Sequence, residues 1–206
     1  MDPLYSLGML ATAAFAASGI VAALNTRIDL FGAVVVAVVT AIGGGTVRDL
    51  LLGTQVFWLQ DPMWLWVATI TGITVFVARE RFDTQSNVLA YLDAMGVGLF
   101  GAGAMLKGVN TGLPLSHAIT MGLITAIGGG LIRDTLTGRD TLLVSPELYA
   151  SPIIAGLLVQ AALLQVQWLS VDEAMVGGAI TIIVGRSLAI RFGWQMPSAA
   201  INTPRH

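Results

Sequence analysis

The chain has no cysteine. Disulfides, thiolate nucleophiles and cysteine-ligated metal sites are therefore excluded together. Charge is also scarce. Ten Lys and Arg and 12 Asp and Glu in 206 residues make 11%, where a soluble globular domain carries about 25%. No basic tract appears and the formal net charge is −2, which argues against nucleic acid as a partner. The two histidines, His117 and His206, are too isolated for a metal site, and no Ser/His/Asp set is evident. Neither an enzyme nor a bound cofactor is expected. The start, Met1-Asp2-Pro3, lacks the positive region of a signal peptide, so the first apolar run is expected to stay as a membrane span.

What the chain has instead is hydrophobic length. Fully 55% of residues are hydrophobic, and the mean hydropathy is +0.81. The apolar stretches are continuous rather than alternating, which predicts an all-α integral membrane protein and not a β-barrel. A span needs about 20 apolar residues, and seven are predicted: Leu4–Leu24, Leu30–Leu52, Met63–Ala78, Val88–Leu106, Leu113–Leu136, Leu148–Gln167 and Val171–Ile190. Seven spans put the termini on opposite faces. One face receives Arg27, Arg79, Arg81, Arg139, Arg191 and Arg205, with Arg186 snorkelling towards it; the other receives only Lys107. The positive-inside rule makes the first face cytoplasmic, with the N-terminus outside and the C-terminus inside. Tyr5, Trp58, Trp64, Trp66 and Trp168 then fall at the outer interface, and Tyr91, Tyr149 and Trp194 at the inner one.

The segment Thr40-Ala-Ile-Gly-Gly-Gly-Thr-Val-Arg-Asp49 recurs as Thr125-Ala-Ile-Gly-Gly-Gly-Leu-Ile-Arg-Asp134. With position 40 laid on position 125, 16 of 39 positions over residues 15–53 are identical, which marks a duplication. Each copy holds three predicted spans, an odd number, so the second copy enters the membrane inverted. The expected organisation is a three-helix repeat over residues 1–86, an inverted three-helix repeat over 87–169, and a seventh helix with a short cytoplasmic tail over 170–206.

Two features of the repeat carry chemistry. Gly43-Gly44-Gly45 and Gly128-Gly129-Gly130 lie inside spans two and five. Three glycines in a helix interior cost about 3 kcal/mol relative to alanine, so each triple is expected to break its helix. Broken helices in matching positions of inverted repeats point to a transport site, and replacing Gly44 or Gly129 by Leu would regularise the helix and stop flux. The alternative is close helix packing through small residues. The decoy Gly96-Val-Gly98-Leu-Phe-Gly101 sits in an apolar span and suits packing too. Three residues beyond each triple stand Arg48-Asp49 and Arg133-Asp134. Charges at that depth need water or partners. Neighbouring helix residues point about 100° apart, which favours pairing across the repeats, Arg48 with Asp134 and Arg133 with Asp49. The aspartates could instead cap freed amides at the start of a second half-helix. Asp93 is either a mouth group or a solvated helix end, and Lys107 either snorkels or lines an outer vestibule.

The paired Ala-Ile-Gly-Gly-Gly-x-x-Arg-Asp motifs, with Leu92-Asp93-Ala94-Met95-Gly96, resemble the prokaryotic trimeric intracellular cation channel (TRIC) family over roughly residues 4–190. The resemblance implies a homotrimer in a prokaryotic plasma (inner) membrane, possessing a pore in each protomer lined by kinked second and fifth helices and permeable to monovalent cations, chiefly potassium. It also implies contact with membrane lipid. Related bacterial UPF0126 sequences carrying a glycine-transporter domain are linked to glycine uptake, so secondary transport of a small amino acid such as glycine is the alternative. A non-transporting membrane assembly protein is the third. No Thr-Val-Gly-Tyr-Gly filter is present, so weak potassium/sodium selectivity is expected.

Overall fold

Local signals set the helix ends. The Asp29 side chain accepts the Gly32 N–H and opens α2, Leu30–Leu51. A capping box between Ser170 and Glu173 opens α8, Val171–Phe192. Gly138 closes α6, Leu115–Thr137, in the left-handed region with φ +65°. The remaining helices are α1 (Pro3–Ala23), α3 (Phe57–Gln60), α4 (Met63–Val77), α5 (Val88–Asn110) and α7 (Ala150–Leu163), and a 3-10 turn covers Arg79–Arg81. The computed structural model describes residues 3–24, 26–81 and 87–196. The predicted repeat boundary at 86/87, Arg205, His206 and the end of the cytoplasmic tail involve positions outside these.

Among the described residues, α1, α2, α5, α6 and α8 are each long and apolar enough to cross a membrane, while α4 and α7 are shorter apolar helices. The run predicted over Leu148–Gln167 shortens to Ala150–Leu163, and ahead of it Leu148 donates its N–H to the Trp194 carbonyl. Helices α1 and α5 are the most deeply packed; α1 lies against α2, α4 and α5, and α5 against α1, α6, α7 and α8. Two ends of the bundle follow from the helix order. The upper end carries residues 52–62 and the lower end residues 138–149.

The glycine triples do not break their helices. Helices α2 and α6 run unbroken through Gly43–Gly45 and Gly128–Gly130, and no residue of either triple has positive φ. The reason is tertiary. A Cβ on Gly44 would collide with the Thr125 carbonyl oxygen, and one on Gly129 would stand 2.6 Å from the Thr40 carbonyl oxygen. A Cβ on Gly128 would meet Gly44 Cα at 3.3 Å. The register 40 against 129 and 44 against 125 makes the two helices antiparallel, touching backbone to backbone. Close approach restores in packing what glycine loses in helix propensity. Leucine at Gly44 would therefore part the helices rather than regularise one of them. Gly96, Gly98 and Gly101 also serve packing, against Phe15, Ile183 and Ala126 respectively.

The glycines of a triple are not equivalent. At Gly43 a Cβ meets only the flexible Ile132 Cδ1, at 2.7 Å. Gly44→Ala and Gly129→Ala should each destabilise by about 1–3 kcal/mol through overpacking against backbone, while Gly43→Ala should be neutral or stabilising through helix propensity. Thermal melts of the three variants in detergent check the ordering. Equal loss at all three would remove the backbone contact as its cause.

Candidate functional site

The antiparallel crossing sends the two Arg-Asp dipeptides to opposite ends of the bundle. Arg48 lies four residues beyond Gly44, about 6 Å at helical rise, towards the upper end, and Arg133 lies the same number beyond Gly129 towards the lower end. The expected cross pairs, Arg48 with Asp134 and Arg133 with Asp49, do not form. Arg48 Nε donates to its own neighbour Asp49 at 2.7 Å, and Arg133 Nε to Asp134 at 2.8 Å. The turn between neighbouring Cα positions is bridged because the arginine side chain is long enough to fold back on its Nε.

The aspartates are not caps at the start of a half-helix. They sit in the last turns of α2 and α6, where a carboxylate opposes the helix dipole. Each ties down the chain that follows. Asp49 Oδ2 accepts the Phe57 N–H at 2.9 Å, and Asp134 Oδ2 the Leu142 N–H at 3.2 Å. Phe57 and Leu142 are themselves mates under the internal repeat, so the duplication preserved this device.

Around this common plan the two ends differ. At the upper end Lys107, its side chain 31% exposed, donates through Nζ to Asp49 Oδ1 at 2.7 Å. Lys107 thus pairs with Asp49 rather than merely snorkelling. At the lower end Arg133 Nη1 donates to Asp93 Oδ1 at 2.7 Å and to Ser18 Oγ at 3.1 Å, all three side chains being buried. Asp93 is accordingly neither a mouth group nor a solvated helix end; it is the buried partner of Arg133. Tyr149 and Arg186, expected at the interface, are buried beside this cluster. Arg186 stacks over the Tyr149 ring at 4.6 Å and donates to the Leu148 carbonyl at 2.7 Å. Sequence reasoning missed Ser18 and misplaced Tyr149 and Arg186. The available signal was position: under the repeat alignment Ser18 answers to Gly103 and Tyr149 to Trp64.

A cavity of about 250 Å³ opens beside the upper cluster, lined by Arg48 and Lys107, with Gly8, Trp64, Phe100 and Gly103 among its other walls. Below it the Phe15 and Phe100 rings, mates in the duplication, stack at 5.7 Å and 15°. Both are buried, and Phe100 is also one wall of the cavity. At the upper rim, the Tyr5 hydroxyl and the Met63 N–H donate to Asp61, at 2.6 and 2.9 Å, and hold its carboxyl below the usual range.

A family model described as Glycine transporter matches residues 5–80 and again 90–165, two stretches whose starts and ends stand in the register of the internal repeat. The chain belongs to this family. Its relatives include the UPF0126 inner membrane protein YadS of Escherichia coli K12, 36% identical over 200 residues, 96% of this chain and 97% of the relative. The UPF0126 membrane protein YvgT of Bacillus subtilis is 32% identical over 196 residues, 93% and 94% of the two chains. The fold matches a solved TRIC trimeric intracellular cation channel orthologue from Rhodobacter sphaeroides with a TM-score of 0.88 and 28% identity, covering 94% of this chain and all of that one. A second solved chain, from work on conductance through TRIC cation channels, matches with a TM-score of 0.85 and 29% identity over 96% and 97% of the chains.

The observed pairing is testable by double-mutant cycles. Asp93→Ala leaves Arg133 with one carboxylate in place of two, and should cost about 3–5 kcal/mol, the scale of a broken buried ion pair. Adding Arg133→Ala should recover much of that loss. Thermal unfolding should show coupling between Arg133 and Asp93 and none between Arg48 and Asp134; coupling in the second pair alone would reverse the assignment.

Proposed function

We propose that the protein is a membrane channel for monovalent cations, potassium among them, assembled as a homotrimer with one path in each protomer. The observation that carries this reading is the whole-chain likeness to TRIC cation channels, at a TM-score of 0.88 over 94% of the chain. We take α4 and α7 as the third and sixth of seven spans, and residues 1–86 and 87–169 as inverted three-helix repeats closed by α8. The matched contacts of Gly44 with Thr125 and of Gly129 with Thr40 support the pseudo-two-fold relation. The N-terminus lies outside and the Arg-rich end in the cytoplasm of the cell, in a prokaryotic inner membrane.

The path runs alongside the α2–α6 crossing rather than through it, because the triples leave no space between the two backbones. It descends from the upper cavity past the Phe15–Phe100 stack to the Asp93–Arg133–Asp134 cluster. In this conformation the stacked rings close it, as an apolar constriction excludes a hydrated ion. Opening requires the rings to separate. The glycine-uptake alternative is favoured by the name of the matching family model.

Planar-bilayer recording of the purified protein should show ohmic potassium currents with modest preference over sodium and little chloride. Phe100→Ala should raise the open fraction several-fold. Saturable glycine counterflow without potassium current would establish the transporter. A reporter fused to the N-terminus should be active only outside the cytoplasm; cytoplasmic activity would overturn the orientation.

A further inference from the structure

The two arginines of the duplicated motif have unequal surroundings, and the difference has a shape. At the lower end Arg133 meets the Asp93 carboxylate and the Ser18 hydroxyl, with Tyr149 alongside. The repeat alignment maps these three residues onto Gly8, Gly103 and Trp64. All three line the 250 Å³ cavity beside Arg48. Where one copy supplies a carboxylate and a hydroxyl, the other supplies two glycines and open space. The cavity is the volume that the missing partner of Arg48 would fill.

Its electrostatics point the same way. Asp49 is fully used: Oδ1 accepts from Arg48 and Lys107, and Oδ2 from the Phe57 N–H. Two cations share one carboxylate, which leaves a surplus charge of +1. Among the described hydrogen bonds Arg48 engages a partner only through Nε, so its terminal nitrogens retain donors for a ligand. Its guanidinium lies 5.5 Å from the centroid of the Phe57 ring, and Phe57 packs edge-on against Trp64 at 5.0 Å. Among the described residues Arg48 and Lys107 are the charged residues of the wall; the rest are apolar side chains and glycine. Among the described residues the wall offers no carboxylate to an ammonium group, so a zwitterion is poorly matched. Singly charged anion chemistry with an apolar body fits each of these features.

The geometry points to a binding site for a small organic monocarboxylate in this cavity, its carboxylate taking opposite Arg48 the place that Asp93 takes opposite Arg133, and its apolar body lying against Trp64 and Phe100. The ligand enters from the aqueous upper face. Bound there, it cancels the surplus charge of the upper cluster. The site stands whichever solute passes through the protein.

The full-length protein in phosphatidylcholine nanodiscs tests this by calorimetric titration with phenylacetate, its neutral counterpart 2-phenylethanol, and glycine. Phenylacetate should bind saturably at one per chain, with the other two at least tenfold weaker. Lys107→Met should weaken phenylacetate at least tenfold and Lys107→Arg should restore it. Gly103→Leu should abolish binding while the protein still melts cooperatively, since a Cβ there meets only Met175 Cε, at 3.7 Å, and the side chain grows into the cavity. The pair Gly8→Asp with Trp64→Tyr, which copies the lower end, should also abolish binding. Lipid discs rich in phosphatidylglycerol should leave phenylacetate affinity within twofold. Equal affinity for 2-phenylethanol, preference for glycine, phenylacetate binding that survives Gly103→Leu, competition by phosphatidylglycerol, or no saturable phenylacetate binding would each overturn the proposal.

Discussion

The rest of the structure depends on the contact of two backbones. Gly44 and Gly129 let α2 and α6 meet with no side chain between them. Because the helices are antiparallel there, everything downstream of each triple is carried to an opposite end of the bundle. The contact fixes the separation of the two arginines. It thereby decides that each must find its counter-charge locally, and it determines which elements come within reach: α5 supplies Lys107 to one end and Asp93 to the other. A membrane protein has little hydrophobic drive between helices, and small residues that permit close approach replace it. A motif that looked like a weakness in one helix is the joint between two.

The charged groups follow from the same constraint. A buried ion is costly unless it is paired or hydrogen-bonded. Each carboxylate of the duplicated motif satisfies its arginine through one oxygen and an amide of the segment that follows through the other. That second bond fixes the segment after each helix, so one side chain serves both electrostatics and chain direction. The duplication kept this kernel and let the periphery diverge: one end carries the buried Asp93 and Ser18 where the other has Gly8 and Gly103 beside a cavity.

Much of this was legible in the sequence. Hydropathy located the helices, and self-alignment of the chain showed the duplication that the twice-matching family model also reflects. Composition pointed to a membrane protein, and the motif pointed to the right relatives. What could not be read was anything that depends on a second helix. A glycine triple looks the same whether its helix breaks or packs, and only Thr40 and Thr125 opposite it decide. The cross pairs failed because they assumed a common depth, which the antiparallel register denies. Tyr149 and Arg186 were assigned by distance from a span end. Each lies on a helix or loop face turned inward, a rotation that hydropathy averages away.

The lower end also has a bearing on how the chain is made. Arg186 and residues 194–196 come late in synthesis, yet they hold residues 146–148: Arg186 through the Leu148 carbonyl, Trp194 and Met196 through backbone bonds to Leu148 and Pro146. Synthesis runs from the N-terminus. The earlier helices must therefore wait with this segment unfastened until the final helix has been made. Helix α8 is thus the latch of the nascent protein. A ribosome that stops short of it leaves residues 146–148 without these three bonds.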